Sequence, residues 1–158
     1  MKEEEKEGLQ KARAYCSAAE HCRSEVRAML ERRDLSPHSI EEIIRHLEKE
    51  GYIDESRYSR AFVHDKVLLT KWGRIKIMQA LRFKGIPEEI AEEAVSSVDP
   101  DEYMAVLREL LVSRYKSVKG ADEYERKMKT MKSIAGRGFE IPLIREVLDF
   151  TESPDFTD

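Results

Sequence analysis

The segment Leu81-Arg82-Phe83-Lys84-Gly85-Ile86-Pro87 decides the fold of this 158-residue chain, because its pattern occurs three times. The matching turns are Arg33-Asp34-Leu35, Lys84-Gly85-Ile86 and Arg137-Gly138-Phe139, spaced 51 and then 53 residues apart. Each turn begins with a basic residue and is followed by a proline, as expected where one helix ends and another begins. A pattern repeated at this spacing predicts tandem structural modules.

Apolar residues recur at fixed offsets on both sides of the three turns. Leu30, Leu81 and Ile134 lie five residues before the apolar turn residue. The apolar residues five, eight and nine positions after it are Ile40, Ile43, Ile44, Ala91, Ala94, Val95, Ile144, Val147 and Leu148. Such offsets are typical of helices with one buried face. The middle turn residues Asp34, Gly85 and Gly138 are types that tolerate a left-handed helix end.

A longer helix precedes this helix pair in each module. Its clearest start signal is Asp99-Pro100-Asp101-Glu102, with Asp as N-cap, Pro in the first turn and Glu at the third position. In the middle module, Gly51 ends one helix and Asp54 can cap the next. The sequence contains no alternating pattern of a strand. It therefore predicts an all-α fold, a tandem array of three three-helix repeats that is elongated and curved.

The predicted organisation follows from these signals. We expect a disordered N-terminus over residues 1–8 and an acidic tail over residues 151–158. The three modules between them span residues 9–51, 52–98 and 99–150.

Composition limits the class of protein. Charged residues make up 38% of the chain and apolar residues 41%, and no apolar run approaches the roughly 18 residues of a membrane span. The charged start of the chain lacks the apolar segment of a secretory signal. Cys16 and Cys22 fall on different helix faces, which argues against a local disulfide. A cytoplasmic protein is the resulting prediction.

Charge is strongly segregated although the net charge is only −4. Between positions 57 and 84, Asp65 is the single acid among eight basic residues. Between positions 88 and 109, Arg108 faces eight acidic residues. The basic residues are Arg57, Arg60, Lys66, Lys71, Arg74, Lys76, Arg82 and Lys84. Such blocks can direct binding of phosphates or of an acidic protein, or they can merely solvate helix faces.

The helix expected over residues 54–69 places its side chains on two faces. Tyr58, Ala61, Phe62 and Leu69 share the predicted core face, and Asp65 on that side is expected to pair with a nearby cation. The opposite face carries a basic stripe of Arg57, Arg60 and His64, which suits phosphates or an acidic groove.

Two aromatic residues lie among the basic ones. Phe83 aligns with Arg32 and Gly136 of the other modules and could stack on a base or anchor a partner. Trp72 lies in the loop Thr70-Lys71-Trp72-Gly73. Packing against the adjacent module is the favoured interpretation of Phe83, and burial between two helices is the favoured interpretation of Trp72.

Catalysis finds little support in the residues. The four histidines show no metal-ligand spacing with acids or cysteines, and Ala135-Gly136-Arg137-Gly138 lacks the lysine and hydroxyl of a phosphate-binding loop. We therefore expect no enzyme activity, no catalytic residue, no metal and no cofactor.

The middle module resembles the RecX family of regulators of the RecA recombinase. The stretch Gly51-Tyr52-Ile53-Asp54-Glu55-Ser56-Arg57-Tyr58-Ser59-Arg60-Ala61-Phe62-Val63 is similar to that family's signature, as are Lys71-Trp72-Gly73-Arg74-Ile75-Lys76-Ile77 and the stretch from Leu81 to Ile86. Ser24-Glu25-Val26-Arg27-Ala28-Met29-Leu30 resembles the opening motif. Glu55 departs from the usual second Asp, and Tyr58-Ser59 departs from the usual Phe-Ala.

The resemblance implies a function that periodicity and charge do not. The family binds the helical groove of the RecA–DNA filament and dampens recombinase, ATPase and coprotease activity in recombination, repair and the SOS response. The implied partners are RecA and single-stranded DNA, with double-stranded DNA as a further ligand; the protein is expected to be a monomer without membrane contact. The candidate contact residues are Arg57, Arg60, Lys66, Lys71, Trp72, Arg74, Lys76, Arg82, Phe83 and Lys84. The alternative is a helical-repeat adaptor for another protein, with no direct DNA contact.

Overall fold

The structure is a computed structural model that describes residues 1–149, so the predicted acidic tail lies outside the described residues. Within this range the chain forms helices and no strand, which confirms the predicted all-α repeat fold. The α-helices α1 to α9 are Glu3–Ala18, Arg23–Glu31, Pro37–Lys49, Glu55–Asp65, Arg74–Phe83, Glu88–Ser96, Pro100–Ser117, Glu123–Ala135 and Ile141–Leu148. A π-helical turn, Lys66–Thr70, directly continues α4.

The helices pack into two compact units, each with its own buried residues. The first unit comprises residues 1–62 and 80–94, and the second comprises residues 63–79 and the described residues from 95 to 149. Helices α4, α5 and α6 contribute residues to both units. The nine described α-helices follow one another along the chain, and the first of them begins before the predicted start of the first module. The module boundaries and the curvature of the array stay predictions.

The core of the first unit is built on the apolar positions of the first module. Its buried cluster consists of Leu9, Ala12, Val26, Leu30, Ile40, Ile43, Ile44, Leu47 and Ile53. Helix α1 begins at Glu3, so the prediction of a disordered segment over residues 1–8 is wrong. Acidic residues in the first turn favour a helix start there, and Gly8 is buried so tightly that an added Cβ would lie 3.1 Å from Leu35.

The second unit buries one face of α7 together with the last turn of the repeat. Tyr103, Leu107 and Phe139 are all buried, and the rings of Tyr103 and Phe139 lie 5.3 Å apart between centroids. Helix α7 starts as predicted, because the Asp99 carboxylate accepts a hydrogen bond of 3.2 Å from the backbone N–H of Glu102 and Pro100 occupies the first turn.

The repeated turns have two different backbone forms. Gly85 and Gly138 have φ values of 79° and 100°, which confirms the predicted left-handed helix ends. Asp34 is not among the left-handed residues of the described chain, so that part of the prediction is wrong. There the backbone N–H of Leu35 donates to the carbonyl of Arg33, 2.9 Å away, closing a three-residue turn that requires no left-handed residue.

Helix α4 buries a different face from the predicted one. Tyr58 is buried as predicted, but Ala61 is exposed, Leu69 is 75% exposed and Asp65 lies at the surface instead of on an apolar face. The buried positions instead follow each other at intervals of four residues and comprise Glu55, Ser59, Val63 and Val67. The π-helical turn adds residues per turn beyond Asp65, so spacing by the α-helical period cannot place Leu69.

Other sequence predictions concern disulfides, membranes and metals. Cys16 and Cys22 are free thiols, as the separate helix faces predicted. Between residues 1 and 149, no helix is both long and apolar enough to cross a membrane. Over the same range, no group of three or more His, Cys, Asp or Glu residues is arranged to hold a metal ion.

Candidate functional site

The loop over residues 70–74, here called the Trp72 loop, follows the π-helical turn and is fixed by the side chain of Arg137. The Arg137 guanidinium donates to the carbonyl of Thr70 at 2.7 Å and to that of Lys71 at 3.0 Å. These bonds satisfy carbonyl groups at the end of the π-helical turn, where Lys71 itself is left-handed with φ of 61°. Contacts within the chain therefore hold the backbone of the loop in a defined position.

A close approach of two glycines ties the Trp72 loop to the third repeated turn. The N–H of Gly73 donates to the Arg137 carbonyl at 2.9 Å, and the N–H of Ile75 donates to the Gly138 carbonyl at 3.0 Å. A Cβ added at Gly73 would lie 2.3 Å from backbone atoms of Gly138. We call this contact of Gly73 with Gly138 the clasp. Only a residue without a side chain fits at position 73.

Trp72 was predicted to be a buried anchor between two helices, and its side chain is half-buried. The ammonium groups of Lys66 and Lys76 lie 4.5 and 4.6 Å from the centroid of its ring. The negative face of the indole ring attracts both cations and offsets part of their mutual repulsion. Three predicted contact residues thus form one cluster, here called the Lys66–Trp72–Lys76 cluster.

The two cations of the Trp72 loop itself are paired with carboxylates of the same unit. Lys71 lies 2.8 Å from Glu109, and its hydrogen bond lowers the pKa of the Glu109 carboxyl. Arg74 lies 2.9 Å from Glu140 and covers the ring of Tyr103 at 3.8 Å. The Tyr103 hydroxyl also donates to Glu140. The pKa of Tyr103 is raised, mainly by burial. Arg74 is thus better explained as part of the scaffold than as a free contact residue.

In the first unit, three more predicted contact cations have internal partners. Arg57 pairs with Glu20 and donates to the carbonyl of Gly51 at 3.0 Å. Arg82 makes two hydrogen bonds to Glu88, of 2.9 and 2.7 Å, and Lys84 lies 2.9 Å from Glu25. The basic block of the sequence is therefore not a uniformly positive surface in the fold.

Two predicted contact residues of the first unit stand at its surface. Arg60 is exposed, and Phe83 is 90% exposed at the end of α5. The favoured packing of Phe83 against a neighbouring module is therefore wrong.

Sequence reasoning missed residues that organise these surfaces. Glu25 accepts hydrogen bonds from Lys84, from Tyr58 and from the backbone of Cys22, and Arg137 fixes the Trp72 loop. Arg137 could have been found, since it is the basic residue of a repeated turn. Leu68 and Leu69 are also exposed on the π-helical turn, and no local sequence signal marks that turn.

The fold and the surface together define a class of protein. It is a chain of three-helix repeats whose second repeat carries a loop with basic and aromatic side chains in fixed positions. Family models described as "RecX, second three-helix domain" and "RecX, third three-helix domain" match residues 54–95 and 101–148. The chain belongs to the RecX family.

Relatives and solved structures agree with this assignment. The regulatory protein RecX of Prosthecochloris aestuarii is 31% identical over 144 residues, covering 91% of this chain and 93% of the relative. The regulatory protein RecX of Chlorobium phaeobacteroides is 33% identical, covering 82% and 83% of the two chains. The crystal structure of RecX from Lactobacillus salivarius has a TM-score of 0.79 at 25% identity and covers 92% of this chain and 95% of its own.

Proposed function

We propose that this protein is a non-enzymatic cytoplasmic regulator that binds the RecA–DNA filament and lowers the ATPase, recombinase and coprotease activities of RecA. Membership of the RecX family is the observation that carries this proposal. It would act in recombination, repair and the SOS response, as the family resemblance implies. The proposal treats the protein as a monomer that spreads its contacts along a filament.

The Lys66–Trp72–Lys76 cluster is the proposed nucleic-acid contact. It brings two ammonium groups to one ring on a loop whose backbone is fixed by Arg137 and by the clasp of Gly73 with Gly138. Ammonium groups held in place can neutralise phosphates of a DNA strand without losing further conformational freedom. Arg60 is proposed as a separate phosphate contact in the first unit, since its side chain is exposed.

ATP hydrolysis by RecA on single-stranded DNA tests the regulatory function. Protein added below the concentration of RecA should slow DNA-dependent hydrolysis, because one regulator bound along the filament affects several subunits. The double variant Lys66→Gln, Lys76→Gln should require more protein for the same effect while keeping its helical circular dichroism. Absence of any effect of the wild-type protein, even in excess at low salt, would rule out the proposed function.

One observation favours a second function, that of a protein–protein adaptor. Arg57, Arg74 and Lys84, which would otherwise attract DNA, are paired with carboxylates of the chain. Salt separates the two functions, since phosphate contacts make affinity fall steeply with salt whereas apolar protein contacts respond weakly. An adaptor would also bind its partner equally well with or without DNA.

A further inference from the structure

Phe83 is the most exposed large apolar side chain of the described residues, with 90% of its surface open to solvent. It is the last residue of α5 and lies in the first unit. A single exposed apolar residue is ordinary by itself. Three further observations separate Phe83 from that background: its place in the repeat, its rigid support and the charge around it.

The repeat shows that the fold does not need a phenylalanine at this position. The equivalent residues in the first and third modules are Arg32 and Gly136, and both are exposed. The neighbouring repeat positions Leu30, Leu81 and Ile134 are all buried, which fixes the register of the comparison. A position that accepts Arg or Gly contributes no core packing, so folding does not explain the aromatic ring.

The backbone that carries Phe83 is held on both sides. The Ser24 hydroxyl donates to the Lys84 carbonyl at 2.7 Å, and Lys84 itself pairs with Glu25. Beyond it, the N–H of Gly85 donates to the Arg82 carbonyl at 2.9 Å. Because the backbone of this turn is constrained, binding through Phe83 costs little backbone conformational entropy, which suits a binding anchor.

The charge beside Phe83 does not suit a nucleic acid. Glu88 holds Arg82 in two hydrogen bonds, and Glu92 also raises the pKa of Arg82 after the larger effect of Glu88. With Arg82 and Lys84 both neutralised, the exposed carboxylates of α6 leave an acidic surround. These carboxylates are Glu89, Glu92 and Glu93, since Glu88 is already the partner of Arg82. An aromatic ring in this field would meet a phosphate backbone only against electrostatic repulsion.

We infer that Phe83 is an anchor that enters an apolar pocket with a basic rim on a protein partner, and that it is not a stacking platform for a nucleobase. The inference rests on the proposed function, which makes RecA the protein that carries the pocket. It divides the contacts of the chain: Phe83 and the acidic face of α6 meet protein, and the Lys66–Trp72–Lys76 cluster meets DNA.

Two substitutions of Phe83 separate a pocket from a stacking surface. Leu refills an apolar pocket but offers no aromatic face, whereas Ala does neither. We expect Phe83→Ala to weaken binding to RecA and to its filament by about tenfold or more, equivalent to about 1.4 kcal/mol, and Phe83→Leu to recover most of it. Both variants should bind a bare oligothymidylate as the wild type does. Tyr124→Ala removes another strongly exposed aromatic, 63% open to solvent, and should change none of these affinities.

Charge reversal on α6 supplies a second test of the inference. The double variant Glu89→Lys, Glu92→Lys should weaken and slow binding to the basic rim, most strongly at low salt. Tighter binding after this reversal would overturn the inference. So would equal loss of bare-DNA affinity in Phe83→Ala and Phe83→Leu, or wild-type affinity of Phe83→Ala for RecA. That last result leaves the proposed function intact, whereas a wild-type protein that binds neither RecA nor its filament overturns both.

Discussion

Glu25 is the residue on which the polar contacts of the first unit converge. Its carboxylate accepts from the Lys84 ammonium at 2.9 Å and from the Tyr58 hydroxyl at 3.3 Å, and it lies 2.9 Å from Nδ1 of His21. Burial raises the pKa of Glu25, but the hydrogen bonds from Lys84 and His21 outweigh it and hold that pKa below its ordinary value. Glu25 thus links α2 to α4 and to the turn behind Phe83.

Replacing Glu25 with Gln should destabilise the protein by about 1–2 kcal/mol at neutral pH, because Lys84 loses a charged partner. A carboxyl whose pKa is lowered by folding stabilises the native state above its unfolded pKa of about 4.3, and this contribution disappears as the pH falls through the folded value. Urea denaturation should therefore show a smaller difference in unfolding free energy from wild type at pH 3 than at pH 7. Glu92→Gln, at an exposed site, is the control; a deficit of Glu25→Gln that is as large at pH 3 would contradict the argument.

Gly73 is sensitive for a steric reason. A Cβ there would lie 2.3 Å from backbone atoms of Gly138, which have no flexible end that can move aside. We expect Gly73→Ala to lower the free energy of unfolding by about 3 kcal/mol. Gly51→Ala is the matched control: Gly51 has φ of 82° but no atom within 4 Å of an added Cβ, so the strained backbone alone should cost about 1–2 kcal/mol. Equal losses in guanidinium denaturation would mean that the clasp is not sterically demanding.

Residue-level prediction from the sequence succeeded where local periodicity decides. Leu30, Leu81 and Ile134 are buried as predicted, because each lies on the inner face of a regular helix beside a repeated turn. The clasp was not predictable, since Gly73 and Gly138 are distant in sequence and only the fold brings them together. The ion pairs of Arg57 and Lys84 could not be predicted for the same reason, because their partners Glu20 and Glu25 belong to the first module.

At the scale of elements, the helix starts were predictable and one helix face was not. Asp99 caps α7 and Asp54 caps α4, since an N-cap is a local signal between neighbouring residues. On α4, the placement of Leu69 was wrong because the chain passes from an α-helix into a π-helical turn at Lys66–Thr70. That turn does not explain the exposure of Ala61, which lies in the regular helix. Arg137, far along the chain, donates hydrogen bonds to carbonyl groups at the end of that turn.

Helix α5 and the Trp72 loop offer a comparison between two lysines with different surroundings. Lys76 lies on the ring of Trp72, whereas Lys71 is paired with Glu109. Lys76→Gln should reduce the salt slope of single-stranded DNA binding by about 1, as loss of one phosphate contact does. Lys71→Gln should reduce the salt slope less, because Glu109 already neutralises the charge of Lys71. Fluorescence anisotropy of a labelled oligonucleotide at several salt concentrations measures both slopes, and equal reductions would contradict the distinction.

For the whole molecule, the charge blocks seen in the sequence are rearranged by folding. The sequence shows eight cations between positions 57 and 84 and suggests a strong positive field. In the structure, Glu20, Glu109, Glu140, Glu88 and Glu25 pair with five of them: Arg57, Lys71, Arg74, Arg82 and Lys84. The other three cations of the block are Arg60, which is exposed, and Lys66 and Lys76, which lie on the ring of Trp72. The block in the sequence therefore overstates the positive field of the folded chain.

The salt dependence of binding to bare single-stranded DNA tests this picture of the molecule. If all eight cations of the block met phosphates, the slope of log affinity against log salt would be about −6, whereas contacts by Arg60, Lys66 and Lys76 alone give about −2. We expect the shallower slope. A cation that leaves its carboxylate for a phosphate exposes the carboxylate, so the exchange gives little net release of counterions. Titrations of a labelled oligothymidylate between low and physiological salt give the slope directly. A slope near −6 would mean that the internal ion pairs open on the DNA, which would return Arg57, Lys71, Arg74, Arg82 and Lys84 to the contact surface.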